Sequence, residues 1–197
     1  MAQRSPLAPD RFPHLPPVAG VGLAAAALGL HYRGRNDLML AELAPGTAVA
    51  GVFTRSLTAA APVEWCRKAL TGGTARAIVV NAGNANAFTG RAGLAAVRET
   101  VKSAAGLIGC PQKQVFVSST GVIGEKLGAG AIIAALPKLH KRLGPDNWRD
   151  GAEAILTTDT FPKGATRRGE IDGTPVTICG IAKGSGMIAP DMATMLA

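Results

Sequence analysis

A chain of 197 residues with 47% hydrophobic and 17% charged residues is long enough for one domain with a sizeable core, which excludes a disordered polypeptide and makes two large domains a poor fit. Aromatics are only 4%, so that core must be built from Ala, Val, Ile and Leu. The formal net charge of +8 comes from Lys and Arg scattered singly or in pairs such as Arg167-Arg168, without the aromatic interleaving that stacks bases; it argues for solubility and attraction of anionic small molecules rather than for nucleic acid.

Residues 1–17 carry Pro6, Pro9, Pro13, Pro16 and Pro17, which rules out a helical signal segment and predicts an extended N-terminal arm. Val18 to Leu30 is apolar over about 13 residues, short of the ~20 needed to cross a bilayer, and reads as core strand and turn. No membrane partner is expected. Asp37 to Leu43 reads as a strand, Pro45-Gly46 as a turn and Thr47 to Thr54 as its hairpin neighbour. Val63 to Leu70 has helical spacing and stops at Thr71-Gly72-Gly73. Ala75 to Val80 is a short apolar strand that runs into Asn81-Ala82-Gly83-Asn84-Ala85-Asn86-Ala87-Phe88-Thr89-Gly90, a loop whose amides can serve either a substrate or the backbone of a capped turn.

Arg91 to Ile108 has the period of an amphipathic helix, and Gln114 to Ser118 that of a strand. The next residues, Ser119-Thr120-Gly121-Val122-Ile123-Gly124-Glu125, read as a turn. Its hydroxyls and exposed backbone N–H groups can form an oxyanion hole, or merely cap a helix from Lys126 to Leu143. Asp146 to Leu156 is a further helix with Asp146 as N-cap, opening onto Thr157-Thr158-Asp159-Thr160, which can grip a carboxylate or act as a local capping cluster. Gly164 to Pro175 is a polar hairpin and Val176 to Ala182 a strand ending at Lys183. Short strands alternating with Ala-rich helices predict an α/β or α+β domain.

Cys66, Cys110 and Cys179 lack CxxC pairing, which predicts free, buried thiols and a reducing, cytoplasmic setting. His14, His31 and His140 show no metal-ligand spacing, and no dinucleotide or P-loop signature occurs, so no metal and no cofactor are expected. The closing stretch from Lys183 to Ala197 passes through Lys-Gly-Ser-Gly and Ala-Pro-Asp to Ala193-Thr194. On its own residues Thr194 is either a surface hydroxyl or a nucleophile, which a cut before it would equip with its own α-amine as base.

Taken in order, Gly51-Val52-Phe53-Thr54 with Ala60-Ala61-Pro62-Val63, Asn81 to Ala87, Ser119 to Glu125, Thr157-Thr158-Asp159-Thr160, Lys183 to Ile188 and Pro190 to Thr194 resemble the ornithine acetyltransferase (glutamate N-acetyltransferase) family of arginine biosynthesis. The resemblance runs from about Val18 to the last residue and covers what is the α chain in that family. It implies half of a four-layer αββα sandwich and a precursor that cuts itself between Ala193 and Thr194. Residues 18–193 are then the α-chain domain and 194–197 the start of a β chain. It further implies an acetyl group carried on Thr194 from N-acetylornithine, or from acetyl-CoA as substrate, to glutamate, in an α2β2 assembly. Matched one by one, Thr120 and Gly121 fall on the oxyanion-hole pair, Thr157 and Lys183 on substrate-binding positions, and Thr194 on the nucleophile.

Around Arg55-Ser56-Leu57 the sequence departs from the Asn-containing segment usual in the family. A related self-processing aminopeptidase, which generally uses Ser, and a non-catalytic partner-dependent subunit are the alternative readings. The tetrapeptide Thr194 to Ala197 carries nothing in sequence that would hold it after a cut.

Overall fold

The computed structural model describes residues 4–186 and 195–197. Its main sheet has four strands in the order β1 (Val21–Ala26), β2 (Leu38–Leu43), β3 (Ala77–Asn84) and β4 (Val115–Val122). β1 and β3 flank β2 antiparallel, whereas β4 lies parallel to β3. A parallel neighbour cannot be reached through a tight turn, and the helix α2 (Gly90–Ile108) makes the crossover. The remaining helices are α1 (Ala61–Ala69), α3 (Ala129–His140) and α4 (Trp148–Ala154). β5 (Lys163–Ile171) and β6 (Thr174–Ala182) form a separate two-stranded hairpin. Its turn is Asp172-Gly173, with φ of 49° and 75°, the paired positive values that match the twist of the flanking strands. The fold is α/β, as expected.

Side chains alternate between the two sheet faces with the period of two that strands impose. Ala24, Leu38, Leu40, Val79, Val115 and Val117 point to the face covered by α1, α2 and α3, where they meet Val97, Val101, Ile132, Leu136 and Leu139. Ala96, Ala104 and Ala105 on α2 are buried, and their small size lets the helix lie close to its neighbours. The opposite face presents Leu23, Ala25, Met39, Ala41 and Val80 to a smaller cluster completed by Ala154, Ile155, Ile181 and Leu196. Alanine and branched aliphatics thus do the work that aromatics do elsewhere.

Several boundaries differ from expectation. Thr47 to Thr54 is not a strand, because both edges of β2 are already taken by β1 and β3. The segment instead pairs locally, with Val49 N–H donating to the Gly73 carbonyl and Ala75 N–H to the Thr47 carbonyl, each at 3.0 Å. β3 runs on through Asn84 and β4 through Val122, since parallel pairing continues over Asn81↔Ser119 and Ala82↔Thr120. Tertiary pairing overrides the turn propensity of Asn, Ser and Gly there. The helix expected from Lys126 to Leu143 is confined to α3, behind the non-helical Gly128 (ψ 75°). At α4 the N-cap is Asn147 rather than Asp146 and makes no side-chain cap bond; its amide donates instead to the Leu23 and Arg142 carbonyls.

Candidate active site

The Asn-rich stretch at the end of β3 and just beyond it is committed to the backbone and to neighbouring hydroxyls. Asn84 Oδ1 accepts from Asn86 N–H at 2.8 Å and its amide donates to the Glu125 carbonyl at 3.1 Å. Asn86 is fully buried; its amide donates to the Gly93 carbonyl at 3.1 Å while its Oδ1 accepts from Thr89 Oγ1 at 2.8 Å. Asn81 donates to the Asn84 carbonyl and accepts from Ser119 Oγ at 2.6 Å. The amides thus serve the protein itself, but at the end of a strand and in the loop that follows it rather than as a helix cap, since the N-cap Thr89 of α2 makes no side-chain cap bond. Ser119 likewise caps no helix: it ties β4 to β3.

Thr120 and Gly121 sit near the end of β4, paired with Ala82 and Gly83 just before the ladder becomes irregular at Asn84. Gly121 has φ of +134°, and a Cβ on it would lie 2.3 Å from the Gly83 carbonyl carbon and 2.6 Å from Asn84 N. Only glycine lets the two backbones approach so closely in this conformation. Gly83 is held in turn, since a Cβ there would fall 2.6 Å from His31 Cβ. Thr120 is buried beside this contact.

A second group gathers where the chain leaves α4 and where β6 ends. Lys183 Nζ donates to Thr157 Oγ1 at 2.8 Å, so two of the residues singled out in sequence are in direct contact. Asp159, whose side chain is 0% exposed, accepts from Lys163 Nζ at 2.6 Å and from Gly184 N–H at 2.7 Å through Oδ1, and from Thr157 N–H at 3.4 Å through Oδ2. Burial alone pushes the Asp159 carboxyl up. The bonds from Lys163 and Gly184, the Lys163 charge and the bond from Thr157 outweigh it and hold the carboxyl below its ordinary value. For Lys183, burial lowers the ammonium's pKa, the Asp159 charge opposes that shift and Lys163 adds to it; the net direction is down.

Residues 31–37 join the two groups, a role that nothing in the sequence marked. His31 packs on Gly83, its ring stands edge-on to Tyr32 with centroids 4.9 Å apart, and Arg35 lies 3.6 Å over the Tyr32 ring. Arg35 Nη2 then donates to the Leu156 and Thr157 carbonyls at 2.8 and 2.9 Å. Asp37, fully buried, accepts from the backbone N–H groups of Leu28 and Leu30 at 2.6 and 2.7 Å. One strap of chain therefore runs from the Thr120-Gly121 corner to the Thr157 loop. A lone Arg in a loop carries no periodic or motif signal, which is why sequence reasoning passed over it.

Ala193 and Thr194 lie outside the described residues. Beyond them the chain is held after all: Lys183 N–H donates to the Leu196 carbonyl at 2.9 Å, and Leu196 joins the smaller apolar cluster. A cavity of about 320 Å³ between Gly20 to Gly22, Glu42 to Pro45, Arg76 and Leu143 is lined by none of the predicted site residues. Cys66, Cys110 and Cys179 are free. Cys66 is buried, bonded to the Val117 backbone, and burial pushes its thiol up; Cys110 and Cys179 are only half-buried, contrary to expectation. Among the described residues no cluster has the donors for a metal ion, and no helix is long and apolar enough to cross a membrane.

The fold and these contacts define an α/β protein with a buried lysine at the end of a strand, bonded to a half-buried threonine and braced by a carboxylate. The family model described as the ArgJ family matches residues 22–197, and the chain belongs to that family. It is 57% identical to the arginine biosynthesis bifunctional protein ArgJ of Gluconobacter oxydans over 100% of this chain and 47% of that protein. It is 54% identical to the protein of the same name from Bradyrhizobium diazoefficiens, over 98% of this chain and 46% of the relative. The chain spans about half the length of the curated relatives it matches.

Among solved structures it resembles arginine biosynthesis bifunctional protein ArgJ from Bacillus halodurans, with a TM-score of 0.80 and 34% identity, covering 89% of this chain and 92% of that one. It also resembles ornithine acetyltransferase from Mycobacterium tuberculosis, solved in complex with ornithine, with a TM-score of 0.79 and 36% identity over 90% and 94% of the two chains.

Proposed function

We propose that this chain is the α-chain half of an ornithine acetyltransferase, moving an acetyl group from N-acetylornithine to glutamate. The observation that carries the reading is the Lys183–Thr157 contact at 2.8 Å, made by two residues of a family member at the positions where the resemblance puts the substrate grip. Lys183 is a compact cation suited to a substrate carboxylate, and its Thr157 partner fixes where that cation sits.

In this reading Thr194 Oγ first attacks the Ala193 carbonyl carbon. The peptide shifts to an ester, water cleaves the ester, and the released α-amine becomes the base for Thr194. In turnover the hydroxyl attacks the acetyl carbonyl of N-acetylornithine, the ornithine amine leaves with a proton, and the acetyl-Thr ester is attacked by the glutamate amine. Backbone donors at Thr120 and Gly121 stabilise the oxyanion of each tetrahedral intermediate, a contribution of ~10²–10³ in rate per donor. Acetyl-CoA is a second donor of the acetyl group in this reading. The partner is a β chain, the assembly α2β2 and the setting cytoplasmic.

The test is acetyl transfer from N-acetylornithine to glutamate, measured with this chain alone and with the polypeptide encoded directly downstream of it. Transfer only in the second case, abolished by Thr194→Ala, is the expected result. Absence of transfer in both cases with folding intact would overturn the reading.

A further inference from the structure

We propose that Asp159 is a positioning residue for the Lys183–Thr157 pair, clamping together the three segments that carry and flank it. The inference rests on the acetyltransferase reading for its functional consequence, but its geometry stands on its own. Asp159 Oδ1 binds Gly184 N–H at 2.7 Å, one residue after Lys183, and Lys163 Nζ at 2.6 Å at the start of β5. Its Oδ2 faces Thr157 N–H at 3.4 Å, in the residue whose hydroxyl receives Lys183. A carboxylate accepts on both oxygens, so a single buried side chain ties the end of β6, the start of β5 and the loop after α4 to one another. Without it, the hydroxyl and the ammonium would be held by separate segments.

Lys163 completes the device. Its side chain is 32% exposed against 0% for Asp159, and its ammonium rests 4.4 Å from the Phe161 ring centroid. It balances the Asp159 charge from the solvent side and adds a like charge near Lys183. The described charged groups that act on Lys183 are thus Asp159, which favours its ammonium form, and Lys163, which opposes it. Arg35 backs the Thr157 loop from the opposite strand connection, through the Leu156 and Thr157 carbonyls.

This arrangement makes two neighbouring substitutions act in opposite directions, which a merely structural role would not do. The experiment is a pH titration of this chain with ¹³Cε-labelled lysine, with the Lys183 resonance assigned by its loss in Lys183→Arg. Asp159→Asn keeps the size and one acceptor oxygen but removes the charge, so the Lys183 midpoint moves to lower pH. Lys163→Gln removes the competing cation, so the midpoint moves to higher pH. Should Asp159→Asn fail to fold, Asp159→Glu takes its place: it keeps the charge but displaces the carboxylate by one methylene from Gly184 and Thr157, so KM in the completed enzyme rises although the charge beside Lys183 is retained.

In the enzyme completed by its downstream polypeptide, Asp159→Asn raises KM by about tenfold, the size of one lost charge-assisted contact, with kcat little changed. An unmoved midpoint in Asp159→Asn, both charge-removing variants shifting it the same way, or an unchanged KM in Asp159→Glu would overturn the proposal. Opposite shifts without any acetyl transfer would leave the positioning role standing and remove the acetyltransferase reading instead.

Discussion

The end of β3 and the Thr157–Lys183 group are both dense in polar side chains, and they use them in opposite ways. Around Asn81, Asn84 and Asn86 the amides are consumed by the backbone and by one another, so their contribution is to shape. Around Thr157 the fixed partners of Asp159 hold an ammonium and a hydroxyl against each other. Polar density therefore does not mark a binding site; a charge whose position is fixed by others does. In the first region substitution should cost stability, and in the second it should cost function.

The sharpest way to break that comparison is at the corner between the two. Gly121→Ala places a methyl group inside the Gly83 and Asn84 backbone in a conformation disfavoured for L-residues, and should cost about 3 kcal/mol or more, read as a lower denaturant midpoint. Asn86→Ala strips the Gly93 carbonyl and Thr89 hydroxyl of a buried partner and puts Ala at φ 47°; about 2 kcal/mol is expected in the same measurement.

Thr157→Val should cost only about 1 kcal/mol, since Asp159 still favours the Lys183 charge, while weakening substrate binding in the completed enzyme. If Thr157→Val destabilises as much as Asn86→Ala, the division between shape and function fails.

The smallest effect is in the acid limb. Asp159 is held below its ordinary value in the fold, so its stabilisation is fully present above the unfolded carboxylate pKa of about 4 and is lost as pH falls through the folded value. Wild-type stability should therefore fall with pH in that window more steeply than that of Asp159→Asn, by thermal melts at matched ionic strength.

Much of this was legible in the chain. Apolar runs and periodicity located β1, β2, β3, α1, α2 and β4. The strand at Val176 to Ala182 was readable, but the hairpin was drawn too short: Gly164 to Pro175 is not a hairpin by itself, since Lys163–Ile171 is one strand and pairs with Thr174–Ala182. What failed did so where long-range pairing decides. Thr47 to Thr54 has strand-like residues but no vacant edge of β2 to pair with. Asn81 to Asn84 and Ser119 to Val122 have turn-like residues but a parallel neighbour in register. At the site, Thr157 and Lys183 were accessible through the ordered motifs. The strap through His31, Tyr32 and Arg35 was not, because its partners lie far away in sequence and it carries no period. Asp159 was visible only as one member of a Thr-rich cluster, and its three-way clamp requires the end of β6 to be brought beside the loop after α4.

The central claim, that this chain is the α-chain half of a self-cleaving acetyltransferase whose acetyl carrier is Thr194, is tested most directly by mass spectrometry of the chain, with its downstream polypeptide, after brief exposure to N-acetylornithine without glutamate. The account predicts the mass increment of one acetyl group on a peptide beginning at Thr194, discharged when glutamate is added and absent in Thr194→Ala. An acetyl group on any other residue, or transfer to glutamate with Thr194 never modified, would contradict it.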